Sequence, residues 1–116
     1  MPSLNRVLLM GNLTRDPELR YIPSGAAVTN FGLAVNRFYT TQDGERKEEV
    51  CFVDIETWGK TAENCANYLT KGRPVFIEGR LRFHSWETED GQKRSKLSVT
   101  AFNVQFLLEA DDDIPF

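Results

Sequence analysis

Two cysteines and one histidine in 116 residues leave thiol, metal and imidazole chemistry little to draw on. A zinc site or a Cys/His nucleophile needs more of these side chains, at fixed spacing, than Cys51, Cys65 and His84 supply. Cys51 falls in a strand-like segment and Cys65 in a helix-like one, so both read as small buried apolar residues, not as a disulfide or metal pair. Long hydrophobic runs are missing too. The apolar stretch in "MPSLNRVLLMGN" is too short to span a bilayer, and no cleavage pattern follows it. We therefore expect a soluble intracellular chain with no membrane partner, no metal and no cofactor. Tracts rich in Pro, Gly or Ser are also absent, which leaves one compact domain and a short free end.

A surplus of positive charge is the next absence. Fourteen Lys and Arg stand against seventeen Asp and Glu, a net charge of −3. The deficit is local: residues 1–108 hold all fourteen cations with thirteen acids, and Glu109, Asp111, Asp112 and Asp113 crowd into the closing "EADDDIPF". The body is near neutral, so any basic surface has to come from placement. An acidic end could be an ordinary solvated tail. The apolar Ile114-Pro115-Phe116 that follows the aspartates needs another explanation.

What is present is mostly strand. "LNRVLLMGNL" is continuously apolar in its middle, as in a strand covered on both faces, one cover being a neighbouring subunit. "DPELRYIPSG" reads as turn. "VTNFGLAVNRFYTT" alternates, with Phe31, Leu33 and Val35 on one face, and "KEEVCFVDIETWG" follows the Asp43-Gly44 turn. Asp90-Gly91 marks a second hairpin, in which aspartate and glycine would both take the positive φ of a tight turn. The one helix predicted spans about Thr61 to Lys71, with Ala62, Cys65, Ala66 and Leu69 on one face and Gly72 at the position of a C-terminal cap. Five strands with one short helix between the third and fourth form the layout of an all-β OB-fold barrel.

Strand parity brings out the chemistry. In "EVCFVDIETWG", Cys51, Val53 and Ile55 share one face, and Phe52, Asp54, Glu56 and Trp58 share the other. In "PVFIEGRLRFHSW", Val75, Ile77, Gly79, Leu81 and Phe83 are expected inside, with Arg80, Arg82, His84 and Trp86 outside. Aromatics interleaved with arginines on a solvent face suit nucleic acid: rings stack on any base while cations follow the phosphates. Taken singly, such aromatics could equally belong to a subunit interface. Phe38 and Tyr39 approach the first hairpin turn and Trp86 the second, so both hairpins could wrap a strand. Asp54 and Glu56 sit on the same face and should weaken the electrostatic share of binding.

"NRVLLMGNLTRDPELRYIPSG", "NFGLAV", "WGKTAENCANYLTKG", "VFIEGRLR" with "SW", and "DDDIPF" together resemble the bacterial single-stranded DNA-binding proteins of the homotetrameric type. The resemblance implies an OB domain over residues 1–108 that wraps single-stranded DNA without catalysis, in a homotetramer. It also implies a cytoplasmic, nucleoid-associated setting and roles in DNA replication, recombination and repair. Carried onto this sequence, it places stacking at Tyr39, Phe52, Trp58 and Trp86 and basic contacts at Arg6, Arg20, Lys60, Lys71 and Arg82, with Arg80 added by its parity. It makes residues 109–116 a short disordered acidic tip in which Asp111, Asp112, Asp113, Ile114, Pro115 and Phe116 dock replication, recombination and repair enzymes. Two departures stand out: only Glu109 and Ala110 precede the aspartates where many relatives have a long linker, and Asp54 stands where relatives often have a cation. A replication-restart or RNA-binding OB protein would share the barrel and platform without needing the tip. An OB-fold nuclease would need carboxylates clustered with an arginine around a metal, which Asp54 and Glu56 do not signal.

Overall fold

The computed structural model describes residues 1–107, so the acidic segment lies outside the described residues. Chain order is β1 (Val7–Leu13), β2 (Glu18–Tyr21), β3 (Ala27–Thr40), β4 (Arg46–Trp58), α1 (Gly59–Tyr68), β5 (Pro74–Glu87) and β6 (Lys93–Phe106). Antiparallel pairing joins β1 to β5, β5 to β6 and β3 to β4. Two short contacts close the sheet on itself: Asn12 and Leu13 of β1 pair with Ala34 and Leu33 of β3, and Ile55 to Thr57 of β4 run parallel to Val99 to Ala101 of β6. The result is the five-stranded OB-fold barrel that the alternation predicts, with the helix after β4. β2 is an addition: residues 18–21, read as turn, pair with the start of β3. All four are exposed, so no apolar alternation marks them.

Leu13, Phe31, Leu33, Ile55, Val75, Ile77, Val99 and Ala101 fill the barrel, and Cys65 and Leu69 join them from the helix side. Each large side chain buried this way contributes about 1.5–3 kcal/mol. The Thr29 hydroxyl donates to the Ala62 carbonyl at 2.7 Å, which fixes the helix to β3 where a bare buried hydroxyl would be costly. The helix begins and ends earlier than expected. Leu69 is already extended (φ −104°, ψ 146°), and Gly72, at φ 91°, turns the chain into β5 instead of capping the helix.

Three of the long strands have 14 residues, roughly 46 Å of chain at 3.3 Å per residue, more than the barrel encloses. The surplus leaves the barrel as two hairpins. Leu81 and Phe83, expected inside by parity, therefore lie in solvent at 46% and 65% exposure beside Leu97, although they continue the face of Val75 and Ile77. Cys51 is likewise exposed, because it sits on the free part of β4. In β1, Val7 and Leu9 pack against the core while Leu8 and Met10 are uncovered.

The two hairpin tips repeat one design. Thr41 and Thr88 each donate the backbone N–H to the carbonyl of the residue four along, whose own N–H donates to the threonine hydroxyl, and that hydroxyl donates to Asp43 or Asp90. Only Gly44 and Gly91 take positive φ, both at 85°; the aspartates keep negative φ and act as acceptors instead. Their threonine hydrogen bonds hold both carboxyls below the ordinary 3.8.

Burial pushes the Cys65 thiol up from 9.0 to about 11, against a small opposing hydrogen bond from Thr57. Below pH 9 both folded and unfolded chains keep this thiol protonated. Above it the unfolded chain ionises first, so stability is lost as the pH rises from 9 towards 11. The unfolding midpoint should fall across that window, and fall less steeply in Cys65→Ala; equal slopes in the two proteins would contradict the burial of Cys65.

Candidate nucleic-acid interface

The outer face of the barrel is built by strand register. Directly paired residues share a face, so the rung Glu18–Asn30–Glu56 runs across β2, β3 and β4, and the next rung is Arg20–Val28–Trp58. Arg20 thus stands two strands from Trp58 on one surface. Further along β4, Phe52 is 72% exposed, and its pairing with Ala34 keeps it on the side of Trp58. Phe38, opposite Glu48, continues that side, with the Arg46 guanidinium 5.2 Å from its ring centroid. Tyr39, opposite Lys47, falls on the alternate face, where Arg37 lies 5.3 Å from its ring centroid.

The parallel β4–β6 contact brings the second hairpin beside this surface. A groove of about 390 Å³ opens between them, lined among others by Arg15, Asp54, Glu56, His84, Trp86 and Lys96. The Trp58 indole N–H donates to Glu56 Oε1 at 2.7 Å, which fixes the ring plane of a side chain that is 39% exposed. The Arg82 guanidinium reaches the same Glu56 oxygen at 3.4 Å. Lys96 pairs with Asp54, and Arg15 lies 3.8 Å from the same carboxylate. His84 shares a 3.0 Å hydrogen bond with Ser98.

Arg15 reaches the groove because Gly32 has no side chain. A Cβ there would sit 2.2 Å from the Thr14 hydroxyl and 2.9 Å from the Arg15 guanidinium. The Thr14 amide donates to the Gly32 carbonyl at 2.9 Å, so the loop after β1 lies directly over β3.

Of the residues expected from sequence, Trp86 lines this groove, Trp58 and Arg82 are held at its edge by Glu56, and Arg20 and Phe52 lie on the face from which it opens. Arg80 follows Arg82 in parity and pairs with Thr100 on the barrel wall. Arg6 is drawn to the β1–β5 side by an ion pair with Glu78. Lys60 lies in the first turn of α1, and Lys71 follows the helix with its backbone N–H held by Asp16 at 2.8 Å. Asp111 to Phe116 lie outside the described residues. Sequence reasoning missed Arg15, Lys96 and the place of Phe38. The turn at Asp90-Gly91 could have found Lys96, since the register it starts sets Lys96 opposite His84; no local signal announces Arg15. Among the described residues no three metal-binding side chains gather, and no helix is long and apolar enough to cross a membrane.

An OB barrel whose outer face carries a groove lined by Trp86, Arg15 and Lys96, with Trp58 and Arg82 at its edge, defines a binding protein of the OB-fold class. The chain belongs to the single-strand binding protein family, whose model matches residues 4–107. That family is one of non-enzymatic DNA-binding proteins. The chain is 55% identical over 103 residues to the single-stranded DNA-binding protein of Wolinella succinogenes, covering 89% of this chain and 64% of that protein. It is 51% identical over 104 residues to single-stranded DNA-binding protein A of Bacillus subtilis, covering 90% and 59%. The chain thus spans about three fifths of the length of the curated relatives it matches. Among solved structures, a deletion mutant of the single-stranded DNA binding protein from Thermus aquaticus superposes with TM-score 0.82 at 34% identity, covering 92% of this chain and 52% of that one. The Plasmodium falciparum SSB in complex with ssDNA gives TM-score 0.86 at 26% identity, covering 92% and 97%.

Proposed function

We propose that the chain binds single-stranded DNA with little sequence preference, laying bases on Phe52, Trp58 and Trp86 along the groove between β4 and the β5–β6 hairpin. The observation that carries this reading is the exposure of three large rings, Phe52 at 72%, Trp58 at 39% and Trp86 at 48%, in or beside one groove that Arg15 and Lys96 line and Arg82 borders. Exposed rings present a face to any base, and each stacked base contributes about 1–3 kcal/mol. Duplex DNA hides those faces inside its stack. The family's name and the ssDNA complex of the Plasmodium relative support the same ligand. The setting is that of DNA replication, recombination and repair, in the cytoplasm and at the nucleoid.

Assembly into a homotetramer belongs to the same proposal. Leu8 and Met10, each 58% exposed, line the outer face of β1 as an apolar strip that water covers poorly, and a second copy of the chain would bury it. Residues 111–116 complete it as a docking peptide, with Ile114 and Phe116 as apolar anchors and the three aspartates meeting basic residues on a partner enzyme.

Single strands should quench Trp58 and Trp86 fluorescence strongly, with the affinity falling by about 0.7 in log–log slope for each phosphate contacted. Trp86→Ala should lose about 1–3 kcal/mol with an almost unchanged slope. Equal affinity for duplex and single strands would sink the reading. Light scattering should give four chain masses with or without DNA, and Met10→Asp should dissociate the assembly; a monomeric wild type at micromolar concentration contradicts it. Phe116→Ala should keep DNA affinity while losing capture of replication and repair enzymes by DNA-loaded protein, and unchanged capture would reduce the segment to a solubilising tail.

A further inference from the structure

Lys96 of β6 and Arg15 of the loop after β1 line the groove, Arg82 of β5 stands at its edge, and each of these cations meets a carboxylate of β4. Arg82 meets Glu56 at 3.4 Å, Lys96 meets Asp54, and Arg15 stands 3.8 Å from Asp54. Glu18 adds a third carboxylate to the lining, to which no ion pair runs among the described residues. The formal charges of Arg15, Arg82 and Lys96 against Glu18, Asp54 and Glu56 cancel. The side chains of these pairs are between 18% and 50% exposed, so water screens them and no single pair holds the fold together.

We infer that Asp54 and Glu56 are specificity-determining residues, which occupy the cations of the groove so that it answers to bases and not to phosphates alone. The inference rests on the single-strand reading above. A phosphate that takes Lys96 from Asp54 or Arg82 from Glu56 exchanges one ion pair for another and strands a carboxylate beside the incoming anion. Little is gained, and few counterions leave the ligand. Stacking on Phe52, Trp58 and Trp86 is untouched by that exchange, so only a ligand with open base faces gains from binding. A polyanion without accessible bases, such as duplex DNA or heparin, is refused by unpaired like charge, which is discrimination through a repulsive element. Glu56 also acts in a second way. Its Oε1 accepts the Trp58 indole N–H at 2.7 Å, so one carboxylate sets both the ring and the guanidinium.

The test uses the full chain and the near-isosteric pair Asp54→Asn with Glu56→Gln, in which the side-chain amide oxygen introduced at position 56 still accepts the Trp58 N–H. Single-strand affinity of this variant should show a salt slope steeper by about 0.7 for each freed cation that meets a phosphate, and about tenfold tighter binding per freed cation at about 50 mM salt. Heparin and duplex DNA should gain binding that the wild type lacks. Glu18→Gln removes one charge from the same groove without breaking an ion pair, so it should shift affinity and leave the slope alone. If the double variant fails to fold by circular dichroism, Asp54→Asn alone carries the same test, because it leaves the Glu56–Trp58 hydrogen bond in place. An unchanged slope, unchanged heparin binding, or an equal change in Glu18→Gln overturns the inference while the single-strand reading stands. A wild type that binds no single strands overturns both.

Discussion

The parallel contact of Ile55, Glu56 and Thr57 with Val99, Thr100 and Ala101 is short, yet the rest of the molecule depends on it. Without it, β3–β4 and β5–β6 would be two antiparallel hairpins attached to a common β1. With it, the sheet closes, Ile55 and Val99 enter one core, and the free half of β5–β6 is set beside the outer face of β4. The groove follows from barrel closure, because the same register that buries Ile55 and Thr57 of β4 turns Asp54 and Glu56 towards His84, Trp86 and Lys96. The helix supports the arrangement from the other side, where Cys65 and Leu69 fill the core and Thr29 ties it to β3.

Strand length divides labour along each hairpin. The barrel half of a strand is fixed by close-packed side chains, and the free half is held by backbone pairing and by the Thr–Asp–Gly tip. Exposed rings on such arms are hydrophobic surface left uncovered, which a folded protein keeps only where something comes to cover it. Phe38, Phe52, Leu81, Phe83 and Trp86 all lie on these arms. On the reading proposed above, rings beside a near-neutral, self-paired groove would make stacking the dominant attraction and leave the cations adjustable through their carboxylate partners.

The sequence alone determined the periodic properties of the chain. Alternation is local to a strand, so Val75 and Ile77 against Arg80 and Arg82, or Ile55 against Phe52 and Trp58, separate correctly with no knowledge of the neighbours. The Asp-Gly tips fix where strands reverse, and the spacing of Ala62, Cys65 and Leu69 marks the helix that falls between β4 and β5. Family membership was legible from the same stretches, since they hold the core and turn residues that define the fold.

Tertiary structure decided what periodicity cannot express. Leu81 and Phe83 carry the same alternation as Val75 and Ile77, and only the reach of the neighbouring strands places one pair in solvent and the other in the core. β2 became a strand because the start of β3 offered a free edge, despite four exposed residues. Arg15 entered the groove through the space over Gly32, a contact between loop and strand that no local pattern encodes. The pairing of Asp54 with Lys96 and of Glu56 with Arg82 joins residues far apart in the chain, and their meeting was set by closure of the barrel, because a side chain's partner depends on which strand the fold lays beside it.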